Sequence, residues 1–352
     1  MEEKREAERE SEKEREEDAG EEKVYRTLWS LGLAKGQQIG VIGHRNPDPD
    51  SVGAAMALSF LLENLGYISE SLTAGEISSE TRFALHFLGL SAPRMIQEAD
   101  GGTYYLVDHS SYAQAISGME EGQVVGILDH HALGDVVSLK GVKITCAPVG
   151  ASCSLVYLAY KQCRIPIRED MARAMLMGIL SDTRNLTRNV EAIDEKAAGE
   201  LLLLSGLSLE ETHELYRGMA RSSASYEGKS DLEIFESRYK VYSLGKVMVG
   251  IGDVNVLGEK EMLPMAERMK KVMKQMRDSL PVDILFTMVT DKEEKNGEMG
   301  TFRMGMVTEE EETKKLLGKA FPEAIEKEGI LWFPRSLSRK TAILPALLKT
   351  IG

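Results

Sequence analysis

Val41-Ile-Gly-His-Arg-Asn-Pro-Asp-Pro-Asp-Ser51 is the stretch from which the rest of the chain can be read. It continues an apolar run, Ile39 to Gly43, and leads into Val52-Gly-Ala-Ala-Met-Ala-Leu-Ser-Phe-Leu-Leu62. That order reads strand, polar turn, helix. The turn carries one imidazole, His44, and two carboxylates, Asp48 and Asp50, all of them metal-ligand types. Open α/β sheets place their ligands at the carboxyl ends of strands. Three later stretches also end in Asp or His: Leu106-Val-Asp-His109, Ile127-Leu-Asp-His-His131 and Ile179-Leu-Ser-Asp182. A single His or Asp in such a place is usually a turn or cap residue. Four such clusters, three of them holding both His and Asp, are expected to meet at one dinuclear metal site.

Working outward, strands are expected over 38–43, 67–73, 103–107 and 123–128. The last two are short apolar runs that suit a parallel sheet covered on both faces. Helices are expected over 24–33, 51–65, 79–88, 111–116, 150–163, 169–180 and 190–204. The helix over 51–65 carries Gly53, Ala54 and Ala57 on one side for close packing on a sheet, and Gly66 ends it. Alternating β and α units over 25–215 predict an α/β fold with a doubly wound, mainly parallel sheet. Beyond a polar linker the texture changes. A hairpin around Gly245, a helix over 260–277, strands over 282–290 and 300–307 joined by a turn at 293–297, a helix over 310–320, a short strand at 330–333 and helical turns over 343–349 describe a smaller mixed α+β C-terminal domain. The domain reading is a charged tail over 1–23, a catalytic metal-binding domain over 24–220, a linker over 221–232 and a substrate-binding domain over 233–352. The active site is expected in the cleft between the two domains.

A chain of 352 residues, 43% hydrophobic, is long enough for two cores. The net charge of -13 argues against nucleic acid as a partner, because phosphate backbones are bound by Lys and Arg clusters. An anionic small molecule would need a local cationic site built against the overall field. Cys146, Cys153 and Cys163 form no CxxC pair, and the absence of a secretion signal suggests reduced thiols in a cytoplasm. Cys153 and Cys163 read as small core residues. No apolar run approaches a membrane span, so no membrane partner is expected. The tail over 1–23, almost wholly Glu, Lys, Arg and Ser, reads as a solvated extension with nothing to bury. Met262, Met265, Met269, Met273 and Met276 recur at helical spacing and read as a core face. Glu210, Glu211 and His213 read as a solvated helix face, and His86 as a packed core histidine.

A mixed Asp and His set without Cys fits two borderline divalent ions better than a structural zinc site. Two ions need about six ligands, one of them usually bridging. The candidates are His44, Asp48, Asp50, Asp108, His130 and Asp182. His131 is left over, available to substrate or to orient the ligands from behind.

His44-Arg-Asn-Pro-Asp-Pro-Asp-Ser51, Asp108-His109, Asp129-His-His131 and Ser181-Asp-Thr183 resemble the four motifs of the DHH phosphoesterases. The form of the first is similar to that of the manganese-dependent, family II inorganic pyrophosphatases. So are Pro148-Val-Gly150, Tyr239-Lys240 and Ser338-Arg-Lys340. The resemblance covers about 36–352. It implies that His44, Asp48 and Asp108 hold one ion, that Asp50, Asp108, His130 and Asp182 hold the other, and that Asp108 bridges. It implies that His131, Lys240, Arg339 and Lys340 bind phosphate. The implied activity is hydrolysis of pyrophosphate by a water activated between two ions, Mn²⁺ first, with Co²⁺ or Mg²⁺ as alternatives. A homodimer stays open. The chain departs from the family pattern in three places: Ser110-Ser111 follows the second motif where Asn-Glu is usual, Thr341 and Ala342 stand where Lys and Gln are usual, and Arg184 to Val190 replaces an apolar run. These departures favour, as alternatives, an exopolyphosphatase or another phosphohydrolase of the superfamily. A third reading is an inert phosphate- or nucleotide-sensing protein, which loss of ligands would signal, and no ligand is lost.

Overall fold

The computed structural model describes residues 29–33, 36–136, 141–292 and 303–351. The tail, the first part of the 24–33 helix, the 293–297 turn and the start of the 300–307 strand lie outside them; the described part of 24–33 is not helical. Two compact units form, one of residues up to 76 with 85–213, the other of 77–84 with 214 onward.

In the first unit, β1 (Gln38–Ile42), β2 (Ile68–Ala74), β3 (Arg94–Ile96), β4 (Thr103–Val107), β5 (Gln123–Asp129) and β6 (Lys143–Cys146) form one sheet in the order β3-β2-β1-β4-β5-β6. Every pairing in it is parallel. Strand order reverses between β1 and β4. At such a switch point the connections leave in opposite directions and open a crevice beyond the strands' carboxyl ends. The helix α1 (Pro49–Asn64) begins where the crevice opens. Asp48 is its N-cap and accepts from the Ser51 amide at 3.0 Å, with Pro49 in the first turn. Gly66 follows at φ +92, the left-handed conformation that ends a helix cheaply only with glycine.

α1 packs along β1 and β2, but its small residues serve another contact. A Cβ on Gly53 would collide with the Ala174 carbonyl of α4 (Glu169–Asp182), so the close approach is between two helices rather than onto the sheet. The helix α2 (Ser79–Leu88) has the expected bounds, but His86 lies on its exposed side and is not a core residue. No helix crosses from β4 to β5. The expected helix over 111–116 is one 3₁₀ turn, Tyr112–Gln114, followed by another, Met119–Glu121. Gly118 at φ +78 breaks the run, and Ala115, Ile116 and Met119 pack as an irregular lid over Ile42, Leu106 and Ile127. The helices α3 (Ser152–Cys163) and α5 (Ala192–Ser205) complete this unit with α4. Cys153 and Cys163 are buried and Cys146 is exposed. β3 and β6, short edge strands, had no counterpart among the expected elements.

The second unit holds a mixed sheet. α6 (Leu209–Ser223) carries Glu210, Glu211 and His213 on its exposed face, and α7 (Asp231–Ser237) starts at a capping box of Ser230 and Glu233. The expected linker thus overlaps the end of α6 and the start of α7. β7 (Lys240–Leu244), β8 (Val247–Val256), β9 (Ile284–Asp291), β10 (Met304–Val307), β11 (Ile325–Lys327) and β12 (Ile330–Phe333) lie in the order β11-β12-β10-β9-β8-β7. β8 and β9 are parallel and the other pairs antiparallel. Met262, Met265, Met269 and Met273 of α8 (Glu259–Met276) are buried in the core on one face of this sheet, as their spacing predicts. The other face is covered by α9 (Glu311–Ala320) and α10 (Leu344–Ile351), the latter entered through a π-helical turn, Arg339–Ile343. No helix among the described residues is long and apolar enough to cross a membrane.

Candidate metal centre

The switch point gathers the four clusters. His44 follows β1, Asp108 follows β4, and His130 and His131 follow β5. Asp48 and Asp50 stand at the start of α1. Asp182 is the last residue of α4, so the fourth cluster comes from a helix end and not a strand end.

The turn after β1 is shaped residue by residue. A Cβ on Gly43 would collide with Ser51 Oγ, which itself accepts from the His44 amide at 3.1 Å. Arg45 donates from its backbone and its Nε to the carbonyls of Gln114 and Ala115, at 2.8 and 2.5 Å, and so anchors the turn to the lid. Asn46 sits at φ +58, which Asn tolerates better than most side chains. That reversal lets the chain double back, so that Asp48 Oδ2 comes within 3.4 Å of His44 Nε2.

Asp108 holds the middle. Its Oδ2 lies 3.1 Å from His44 Nε2 and its Oδ1 3.3 Å from His130 Nε2. Asp108 is itself left-handed at φ +60 and almost wholly buried, a strained conformation of the kind that collects at functional sites. His130 Nε2 is also 3.4 Å from Asp182 Oδ2. The far nitrogens of both imidazoles are engaged: His44 Nδ1 is 2.7 Å from the Arg45 carbonyl and His130 Nδ1 is 3.0 Å from the Val149 carbonyl. A carbonyl only accepts, so each Nδ1 carries the proton and each Nε2 lone pair faces the carboxylates. This is the tautomer a metal requires.

Asp50 accepts from the amides of Ser152 at 2.7 Å and Cys153 at 2.9 Å, at the N-terminus of α3. Ser152 Oγ donates to Asp108 Oδ1 at 3.3 Å. Burial nevertheless pushes the Asp50 carboxyl up to about 6, with the Asp108 charge adding to it. Asp182 is pushed well up by burial and then by the charges of Asp48 and Asp50. Four carboxylates gathered in so small a space repel one another, and bound cations relieve that. The ligating atoms fall into compact groups: His44, Asp48 and Asp108; Asp50, His130 and Asp182; and Asp108, His130 and His131. The donor set fits borderline divalent ions.

His131 stands apart within the third group. Its Nδ1 is 2.5 Å from Asp129 Oδ1 and 3.6 Å from Asp108 Oδ1, while its Nε2 is buried with no hydrogen-bond partner among the described residues. His109 is buried too, with Nδ1 2.9 Å from the Val107 carbonyl, and burial pulls its imidazole down to about 4. It joins no ligand group. Two residues carry roles that the sequence does not mark: Asp129, which orients His131, and Ser152, which ties Asp50 to Asp108. The signal that could have found the latter is a serine two residues after Gly150, at a helix start.

Lys240, Arg339 and Lys340 belong to the second unit. Lys240 opens β7, opposite Ile251 of β8. Arg339 opens the π-helical turn, N-capped by Ser338, and donates from Nη1 to the Arg238 carbonyl at 2.9 Å.

Residues 38–179 match the DHH family, N-terminal domain, and residues 217–350 match the DHHA2 domain. A protein of Streptococcus equi subsp. zooepidemicus named as a manganese-dependent inorganic pyrophosphatase is 29% identical over 317 residues, 89% of this chain and 98% of its own length. One of Lactobacillus acidophilus with the same name is 29% identical over 310 residues, 87% of this chain and 96% of its own. Among solved structures, a Methanococcus jannaschii protein assigned to family II of the inorganic pyrophosphatases superposes with a TM-score of 0.75 at 24% identity. It covers 89% of this chain and 99% of that one, and shares the fold.

Proposed function

The chain belongs to the DHH family, with that family's N-terminal domain followed by a DHHA2 domain, and from that premise we propose that it hydrolyses inorganic pyrophosphate to two phosphates at a dinuclear metal centre. The observation that carries this reading is Asp108, which turns one carboxylate oxygen to each of two correctly oriented imidazoles. His44, Asp48 and Asp108 would hold one divalent ion, and Asp50, His130 and Asp182 the other with Asp108 shared. The manganese named for the relatives is the first choice. Bound there, two ions supply Lewis acidity and lower the pKa of water from 15.7 to about 7.

The chain's own groups do the rest. The His131 Nδ1 is held by Asp129, which stabilises an imidazolium and leaves Nε2 to donate to a phosphoryl oxygen or to the leaving phosphate. Lys240, Arg339 and Lys340 bind the phosphates against the overall negative field, Arg339 through a planar fork and the lysines as point charges.

A second reading, a hydrolase of short polyphosphates, draws on Arg184 to Val190. This segment directly follows Asp182 and holds Arg184, Asn185 and Leu186 in succession at φ +50 to +58. Thr183 braces it, accepting from the Leu186 amide at 3.1 Å. Turnover of pyrophosphate, tripolyphosphate and a cyclic dinucleotide, each with Mn²⁺, separates the readings. Pyrophosphate is expected to be the fastest; a rate on it far below that on tripolyphosphate replaces the first reading with the second, and fastest turnover of the cyclic dinucleotide overturns both.

A further inference from the structure

Arg339, one of the phosphate-binding residues just named, does not stand alone. Its Nη1 donates to the carbonyl of Arg238 at 2.9 Å, and its Nη2 is 3.9 Å from Asp253 Oδ2. Arg238 Nε is 3.7 Å from that same oxygen. The other end of Arg238, Nη1, lies 3.4 Å from Oε2 of Glu80, whose side chain is 5% exposed. Two guanidinia therefore share one carboxylate oxygen of β8. Lys240 opens β7 opposite Ile251. Arg238 stands two residues before it, at the end of α7, and Asp253 lies on β8 two residues beyond Ile251. The contact between Arg238 and Asp253 places this pair beside the start of β7, and the contacts of Arg339 with the Arg238 carbonyl and with Asp253 bring it to them.

The distances matter. At 3.7 and 3.9 Å neither guanidinium makes a direct, aligned hydrogen bond to Asp253, which would need about 2.7–3.2 Å. A guanidinium carries five N–H donors on a planar fork, more than one carboxylate oxygen can take up. Arg238 remains 30% exposed and Arg339 12%, counting side chains. Against the cations Arg238, Lys240, Arg339 and Lys340 stand Asp253 and Glu80. The locality is cationic within a chain of net charge -13.

We propose that Arg238 is a further phosphate-binding residue, and that Asp253 is the positioning residue that holds Arg238 and Arg339 side by side to take one phosphoryl group between them. The ligand class is the phosphoanhydride of the preceding section, on which this inference rests. Asp253 is the decisive residue because two roles predict opposite signs. If it only offsets positive charge, its neutralisation tightens binding of an anion. If it positions two forks, its neutralisation loosens binding although the site becomes more positive.

The test uses the full chain loaded with Mn²⁺ and the variants Arg238→Ala, Arg238→Lys and Asp253→Asn. Calorimetric binding of imidodiphosphate, which resists turnover, is measured beside KM and kcat for pyrophosphate. Loss of one charge-assisted, forked contact predicts that Arg238→Ala raises Kd and KM about tenfold, with kcat within about threefold of wild type. Arg238→Lys is expected to recover only part of this, since it restores the charge without the fork. Asp253→Asn is expected to raise Kd severalfold. Unchanged binding in Arg238→Ala, or tighter binding in Asp253→Asn, overturns the inference. If Asp253→Asn does not fold, the two variants at the partly exposed Arg238 decide alone. A wild-type protein that binds and turns over pyrophosphate while these variants match it leaves the proposed function standing and removes only this inference. A wild-type protein that neither binds nor hydrolyses it removes both.

Discussion

His131 Nδ1 lies 2.5 Å from Oδ1 of Asp129, and Asp129 is fully buried. A carboxylate only accepts, so the imidazole is the donor and its Nε2 is turned inward. Asp129 also accepts from the His131 amide at 3.1 Å and from Ser110 Oγ at 3.0 Å, so the carboxylate cannot swing away. Ser110, one of the two serines that stand after the second motif where the resembled family usually has Asn-Glu, is thereby part of the support for His131.

Asp129→Asn keeps the shape and removes the charge that favours the imidazolium. The expected result is a fall in kcat of about a hundredfold or more with KM little changed, which is the size of a lost proton donor. Manganese content, measured on the purified variant, should stay at the wild-type value. A variant that loses metal in proportion to activity would reassign His131 from substrate to ligand.

Asp108→Asn tests the shared carboxylate. Neutralising it leaves His44 and His130 with one weak acceptor where each had half of a full charge. Metal per chain should fall from two to one or fewer, and activity by about a thousandfold, since a Lewis-acid centre supplies several kcal/mol of transition-state stabilisation. Unchanged turnover and metal content would falsify the dinuclear proposal.

Removing the metal should make stability depend on pH in an unusual direction. In the metal-free chain the Asp50 carboxyl is raised from 3.8 to about 6, chiefly by burial, and Asp182 is raised as well. An acid whose folded pKa exceeds its unfolded one binds protons more tightly when folded, so stability falls as pH rises through that interval. The metal-free protein is then penalised above about pH 6, where Asp50 is forced to ionise beside the other carboxylates. Chelation should lower the melting midpoint strongly at pH 7.5 and little at pH 5. Melts with and without EDTA at both values check this; an equal drop at both contradicts it.

Much of this was legible in the primary structure, and the failures have physical causes. A strand, a polar turn and a helix could be read at 38–65 because the apolar period changes there from two to 3.6 and Asp48 with Pro49 marks the helix start. Strand order could not be read, because pairing depends on contacts far apart in the chain. The reversal between β1 and β4 that unites His44 with Asp108 is visible only in the fold. The helix expected over 111–116 failed because its apolar residues pack as a lid instead of a stripe. β3 and β6 are too short and too exposed to show a period. Asn46 had no role until its left-handed backbone showed how His44 and Asp48 come together. Arg238 and Asp253 carry no motif, and only the packing of the α7–β7 junction against β8 brings them together.

Gly53→Ala probes how α1 is held. The alanine has the better helix propensity, worth about 0.5–1 kcal/mol in an isolated helix. Its methyl group would meet the Ala174 carbonyl, a backbone atom of α4 with no rotamer to relieve the clash. Overpacking of this kind costs about 1–3 kcal/mol, occasionally more, so the net effect is destabilising. Gly53 is three residues beyond Asp50 and shares its side of α1, while Asp182 closes α4. Forcing the two helices apart therefore also separates two members of one ligand group. The expected outcome is a melting midpoint lower by several degrees together with weaker Mn²⁺ binding in a titration, whereas Ala57→Gly, on the same helix but away from Asp50, should lower the midpoint and leave Mn²⁺ affinity as it was. Equal loss of affinity in both variants would separate the α1–α4 contact from the metal centre.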